Sequence, residues 1–265
     1  MKDSNSIKSN TKSDWWTTFY DQNLADILLD PASGEEVQMT CNFLTEVLSL
    51  SPGDTIFDQC CGNGRLALEL GLRDFSVIGI DQADIYIQQA TTEATNLKSD
   101  CVFETADAFQ YTTPTPCHAA MNWWTSFGYA DEDFQNLKML KTAYDSLITG
   151  GKFALDYMNT PNLYRTFQPS MITRRQLPSG ELILLRESSI DSIKDVLHKK
   201  WTYYLPNDNG VVSHDSSTRL YTPAQLAQLF SQAGFTDIEF YGDVDQRPLS
   251  LHSPRCIVVA TKPHS

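Results

Sequence analysis

The sequence predicts an α/β fold built on a parallel sheet with an antiparallel insertion, and three observations predict it. Between residues 55 and 157, short runs of β-branched and aromatic residues alternate with stretches of helical periodicity. From residue 171 to 221 the helical pattern gives way to four consecutive strand patterns separated by turn residues. From Thr222 the alternation resumes.

The elements follow in order. Residues 1–13 are polar and rich in Ser, Asn and Lys, which predicts a flexible tail. Asp14 to Leu29 carries Trp15, Trp16, Phe19, Tyr20, Leu24, Ile27 and Leu28 at helical spacing, which predicts a lid helix over 14–29. Ser33 with Glu36 three residues on is a capping-box pattern, followed by Val37, Cys41, Leu44 and Leu48 on one helical face. Strands are expected at Thr55–Asp58, Phe75–Ile80, Cys101–Thr105, His118–Trp123 and Lys152–Tyr157. Helices are expected at Gly64–Leu72, Ala83–Leu97 and Asp131–Leu147. An insertion over 160–221 holds strands at Met171–Gln176, Glu181–Ser189, Val196–Leu205 and Val211–Tyr221. Pro178-Ser179-Gly180 and Pro206-Asn207-Asp208-Asn209-Gly210 supply turns between them. Thr222, Pro223 and Gln225 open a last helix that Gly234 closes, and Asp237–Tyr241 and Cys256–Thr261 are the final strands. Residues 14–265 read as one domain.

The 265 residues carry a net charge of −13, which disfavours nucleic acid as a partner because phosphate backbones need a basic face. The apolar runs are too short to span a membrane. No apolar run follows Lys2, Lys8 and Lys12, so no secretory leader is expected and the location is expected to be cytoplasmic. The six cysteines form no C-x-x-C pair and stand at no zinc-like spacing from His, so reduced thiols and no metal are expected.

The stretch Ile56-Phe57-Asp58-Gln59-Cys60-Cys61-Gly62-Asn63-Gly64-Arg65 is a strand, a tight loop and a helix start. It lacks the third glycine of a dinucleotide loop and the Lys-Ser/Thr pair of a phosphate loop, and Asp58 would repel a diphosphate. Asp81, seventeen residues after Gly64, ends the second strand and can accept both hydroxyls of a ribose. Asp107 follows the third strand and can accept from an adenine amine. Carboxylates at three successive strand ends describe a ligand with an amine, a ribose and an adenine, as in S-adenosylmethionine.

With these residues the sequence resembles the class I S-adenosylmethionine-dependent methyltransferases, from about Asp54 to Asn159 and again from Thr222 to the end. The resemblance implies a Rossmann-like seven-stranded sheet and S-adenosylmethionine as cosubstrate. It carries the cofactor's backbone contacts onto Gly62 and Gly64, the ribose onto Asp81 with Gln82 beside it, and adenine onto Asp107 and Ala108. Cys60 stands where the family has the first loop glycine, so the amino-acid end of the cofactor is expected to lie differently. Thr149-Gly150-Gly151-Lys152 matches the family's turn before the fifth strand.

Strand carboxyl ends line the ligand crevice in such sheets, so Asn122, Trp123, Trp124, Phe127 and Tyr129 are expected near the sulfonium. Asn122, Tyr157, Tyr129 and Asn159 are the candidate catalytic residues, with Asn122 and Trp123 also facing the cofactor. No strong general base stands out, which favours an acceptor that is already nucleophilic, such as an amine. The expected activity is methyl transfer to a small molecule in specialised metabolism by a monomer or homodimer. Around Asp58–Gly62 and Asn122–Tyr129 the sequence also resembles family members that cyclise the cofactor to azetidine-2-carboxylate and methylthioadenosine. A non-catalytic binder on the same fold is the third reading, and all three carboxylates speak against it.

Overall fold

The structure is a computed structural model that describes residues 14–29, 34–208 and 210–264. The expected tail 1–13 and the Ser33 capping position lie outside them. The described chain forms two compact units. One comprises residues 34–127, 132–165 and 221–264; the other comprises residues 14–29, 128–131 and 166–220 without residue 209.

The first unit is a seven-stranded mixed sheet of β1 (Thr55–Gln59), β2 (Ser76–Asp81), β3 (Val102–Thr105), β4 (Cys117–Asn122), β5 (Leu147–Met158), β10 (Thr236–Tyr241) and β11 (Arg255–Thr261). Its order is β10-β11-β5-β4-β1-β2-β3. β1 to β5 run parallel, while β11 runs antiparallel to both β5 and β10. The order reverses at β1 and β4, so the crevice opens beyond the carboxyl ends of those strands, where such sheets bind ligands.

Two buried layers sandwich the sheet because neighbouring side chains on a strand face opposite ways. Phe57, Ala120, Phe153, Leu155 and Tyr157 pack under α6 (Asp133–Asp145) and α8 (Pro223–Ala233). Ile56, Met121, Trp123, Ala154 and Ile257 pack under α3 (Gly34–Val47) and α4 (Arg65–Gly71). α8 carries the full capping box expected at Thr222, with Pro223 at its first position and Gly234 closing it at φ 108°. α5 (Asp84–Leu97) follows β2, and α7 (Thr160–Thr166), absent from the sequence reading, follows β5. α7 is short and begins Thr-Pro, so its periodicity is too brief to register; Thr160 anchors it by donating to the Tyr221 carbonyl at 2.7 Å.

The second unit is a four-stranded antiparallel sheet, β6 (Ser170–Leu177), β7 (Gly180–Asp191), β8 (Val196–Tyr204) and β9 (Val211–Arg219), in sequential order. The expected helix over 14–29 is broken: α1 (Trp16–Phe19) stops at Tyr20, α2 (Gln22–Leu24) starts anew, and a π-helical turn spans Ala25–Leu29. Asp21 causes the break. Its side chain accepts the Leu24 N–H at 2.9 Å and caps a new helix. The aromatic pattern still buries one face. Trp15, Phe19, Leu24 and Ile27 pack with Leu182, Leu184, Trp201 and Tyr203.

Candidate functional site

The β1–α4 loop turns through three left-handed residues, Cys60 at φ 66°, Gly62 at φ 56° and Gly64 at φ 79°. Glycine reaches this conformation freely, whereas an L residue such as Cys60 loses about 1–2 kcal/mol there. The two glycines differ in purpose. A Cβ on Gly64 would lie 2.9 Å from the Phe103 ring, so this glycine admits close packing of the loop. A Cβ on Gly62 would meet nothing within 4 Å, so its bare backbone faces open space.

Asp81, at the end of β2, clasps this loop. Its Oδ2 accepts the Gly62 N–H and its Oδ1 the Ala83 N–H, each at 2.9 Å, and the Gln82 backbone also bonds it. Burial raises its carboxyl above the usual range, and those N–H donors pull against the rise. Asp58, one strand over, is 3 % exposed. Burial first, and the Asp81 charge second, push its carboxyl up to about 8. Among the described residues no cation pairs with either group, which fits a cationic ligand. Burial, followed by the Asp81 and Asp58 charges, also holds the Cys60 and Cys61 thiols well above the usual range. They stay neutral, as packing thiols do. All six cysteines are free.

Asp107 caps the turn after β3, accepting the Phe109 N–H at 2.9 Å and the Gln110 amide at 2.6 Å. The Ala108 carbonyl accepts from the Thr142 hydroxyl at 2.8 Å, which fastens this turn to α6.

At the tip of β4, Asn122 is fully buried. Its amide orientation follows from its neighbours. Gln59 Nε2 donates to the Met139 carbonyl at 3.1 Å and the Thr142 hydroxyl at 3.0 Å, so Gln59 Oε1 is left to accept. Asn122 Nδ2 supplies that donor at 3.1 Å and also reaches the Ser126 carbonyl at 3.3 Å. Asn122 Oδ1 is therefore a buried acceptor without a donor. Tyr157 lies on the adjacent strand. β5 places Leu155 opposite Asn122, so Tyr157 sits two residues further along on the same layer, packed against Phe127 and Tyr221.

The remaining sequence candidates fall elsewhere. Trp123 points into the opposite layer against Phe43. Asn159 Nδ2 donates to the Ser250 and Ser253 carbonyls at 2.9 and 2.8 Å and so anchors that loop. Tyr129 belongs to the second unit, packed against Trp15 with its hydroxyl on that of Tyr20.

The sequence reading missed Asp156. Trp124 and Thr125 both adopt positive φ, at 56° and 61°. Asp156 Oδ2 accepts the Trp124 N–H at 3.1 Å and an Arg255 N–H at 2.9 Å, while its carbonyl accepts the Thr125 N–H at 3.2 Å. Burial pushes its carboxyl up to about 6 despite Arg255. The Arg65 guanidinium lies 4.4 Å over the Trp124 ring and steadies the same loop. A carboxylate amid the apolar run Phe153–Leu155 was the available signal.

The residues present fit S-adenosylmethionine on three counts: the open backbone at Gly62, a clasped carboxylate at the end of β2, and the buried Asp58 carboxyl, which has no cation paired to it among the described residues. Among the described residues, no group of three His, Cys, Asp or Glu is placed to hold a metal ion. No helix among them is long and apolar enough to cross a membrane.

Comparison with known proteins agrees with this geometry. Residues 50–234 match the methyltransferase domain family. A provisionally named methyltransferase of Geobacillus sp. (strain WCH70) is 24 % identical over 212 residues, covering 78 % of this chain and 84 % of its own. The fold matches an S-adenosylmethionine-dependent methyltransferase of Clostridium acetobutylicum at TM-score 0.76 and 13 % identity, covering 91 % of this chain and 97 % of the other. It matches the sugar N-methyltransferase KedS8 of a Streptoalloteichus species at TM-score 0.69 and 18 % identity, covering 100 % and 99 %.

Proposed function

This chain belongs to the class I S-adenosylmethionine-dependent methyltransferases, and on that premise we propose that it methylates a neutral amine on a small molecule of specialised metabolism. The observation that carries the amine is the orphaned Asn122 Oδ1. A buried acceptor without a donor costs about 1–3 kcal/mol, and a ligand N–H relieves that cost. The likeness to a sugar N-methyltransferase supports the same class of acceptor.

When bound, S-adenosylmethionine supplies a methyl group on a sulfonium, already a good leaving group. The protein's contribution is then chiefly positioning. In this reading Asp81, with Gln82 beside it, takes the ribose; Asp107 and Ala108 take adenine. Cys60, Gly62 and Gly64 present loop backbone to the amino-acid end, and Asp58 supplies the negative partner for that end. Asn122 Oδ1 and the Tyr157 hydroxyl accept N–H groups and fix an amine's direction without adding charge. Trp123 backs the crevice wall, and Tyr129 and Asn159 act by positioning the segments they hold.

Incubation with S-adenosylmethionine and a panel of small amines, followed by identification of the released nucleoside, tests the proposal. S-adenosylhomocysteine formed only when an amine is present supports it. Methylthioadenosine released without any acceptor contradicts it and establishes cofactor cyclisation instead.

A further inference from the structure

The antiparallel sheet of the second unit sorts its carboxylates by face. Register and strand alternation place Glu181, Glu187, Asp191 and Asp215 on one face, together with Arg174, Lys200 and Arg219. The other face receives Arg175, Arg186 and Lys199 and no carboxylate from any of the four strands. In a chain of net charge −13 this is an unusual surface. The N-terminal segment brings Asp21 near it, but that carboxylate pairs with His214 at 3.4 Å.

Arg186 and Lys199 converge on a single ring. The Arg186 guanidinium lies 5.4 Å and the Lys199 ammonium 5.6 Å from the centre of Trp201, itself 8 % exposed. Arg186 donates to Thr173 Oγ1 at 3.3 Å and contacts the Met171 sulfur, both neutral groups. Its Nε is buried without an acceptor, and so is the hydroxyl of Tyr203, two residues along from Trp201. Neither cation has a carboxylate partner among the described residues. Two partly buried like charges side by side repel and lose hydration, and proteins ordinarily pair such groups. The strain shows on Lys199. Burial first, and the Arg186 charge second, pull its ammonium down to about 8.

We propose that Arg186 and Lys199, beside Trp201, form a binding site for an oxyanion, a carboxylate or phosphate group of a small molecule. The guanidinium fork matches either group in two-pronged fashion, and the ammonium adds a point charge.

The test uses the full-length protein with pyrophosphate and glutarate as separate probes. Acylation of Lys199 by an amine-reactive reagent is followed by peptide mass spectrometry, and affinities are measured by calorimetry. At least one probe is expected to saturate and to slow Lys199 acylation at least fivefold in the wild type, and the tighter probe identifies the anion class. Arg186→Gln is expected to weaken that probe at least fivefold while leaving S-adenosylmethionine affinity unchanged. Absence of protection by both probes overturns the site, and so does wild-type affinity for both in Arg186→Gln. The wild-type protection arm needs no variant, so a misfolded mutant leaves the test intact. Loss of S-adenosylmethionine binding in the wild type, with anion binding retained, would refute the methyltransferase reading and leave the site standing.

Discussion

Each of the two units of this protein holds ionisable groups that lack a partner of opposite charge among the described residues, carboxyls in one and basic groups in the other. In the seven-stranded unit, the buried Asp58 and the partly buried Asp81 stand at adjacent strand ends with no cation paired to either among the described residues. In the antiparallel unit, Arg186 and Lys199 share Trp201 without an anion. Removing an ionisable group from water without a partner of opposite charge costs stability, and perturbed groups of this kind in both units point to ligands that complete them. The comparison teaches a division by charge: the carboxyls of one unit suit a cationic ligand, and the basic pair of the other suits an anionic one.

The largest effect separating the units is expected from Asp81→Ala. In the proposed assignment it removes two charge-assisted hydrogen bonds to a ribose, each contributing about 1.5–3 kcal/mol, and it frees the Gly62 backbone. Calorimetry should show S-adenosylmethionine bound at least thirtyfold more weakly, about 2 kcal/mol, with pyrophosphate affinity unaltered. A loss under threefold would reject the ribose assignment.

Next in size are Asn122→Ala and Tyr157→Phe. Each is expected to lower turnover at least tenfold, about 1.4 kcal/mol, with little change in cofactor affinity. Asn122→Ala also leaves Gln59 Oε1 without its donor, so a stability loss of about 1–3 kcal/mol should accompany it. Steady-state kinetics beside thermal melts separates the two effects. Wild-type turnover in both variants would reduce these residues to crevice wall.

A smaller effect concerns pH. The Asp58 carboxyl stands at about 8 and is therefore mostly neutral at pH 7. A cation bound nearby favours its ionised form, so binding should release a proton below pH 8. Cofactor affinity is then expected to rise severalfold from pH 6.5 to 8 and to level off above it. Asp58→Asn should flatten the profile, as should be visible by calorimetry in buffers of different ionisation heat. Persistence of the slope in the variant would locate the titrating group elsewhere.

Much of this architecture was legible in the sequence. The insertion strands fall within about two residues of their expected bounds because Pro178–Gly180 and Pro206–Gly210 punctuate them. The glycine loop and the three strand-end carboxylates sit where the spacing put them. Other features were hidden for physical reasons. The Asp21 cap competes locally with the helical periodicity of 14–29 and breaks it. The Gln59 bonds that orient the Asn122 amide join residues sixty or more apart, and nothing local announces them. Trp123 resembled a crevice aromatic by position, but strand alternation turns it to the opposite layer from Asn122. The sorted carboxylates of the insertion appear only once the register is known.

The smallest effect sharpens one detail of the cofactor unit. Cys60 holds φ 66° in the place of a glycine. Cys60→Gly relieves that strain but surrenders a packed thiol and adds chain entropy. It should change stability by less than about 1 kcal/mol and keep cofactor affinity, as melts and calorimetry can show. A large loss of affinity would mean that the thiol itself meets the cofactor.

The central claim is that the β1 and β2 ends bind S-adenosylmethionine. Hydrogen–deuterium exchange of the full chain with and without that compound tests it most directly. Exchange is expected to slow most in peptides spanning 60–64 and 81–84. Slowing confined to strands Gly180–Asp191 and Val196–Tyr204, or absent throughout, would contradict it.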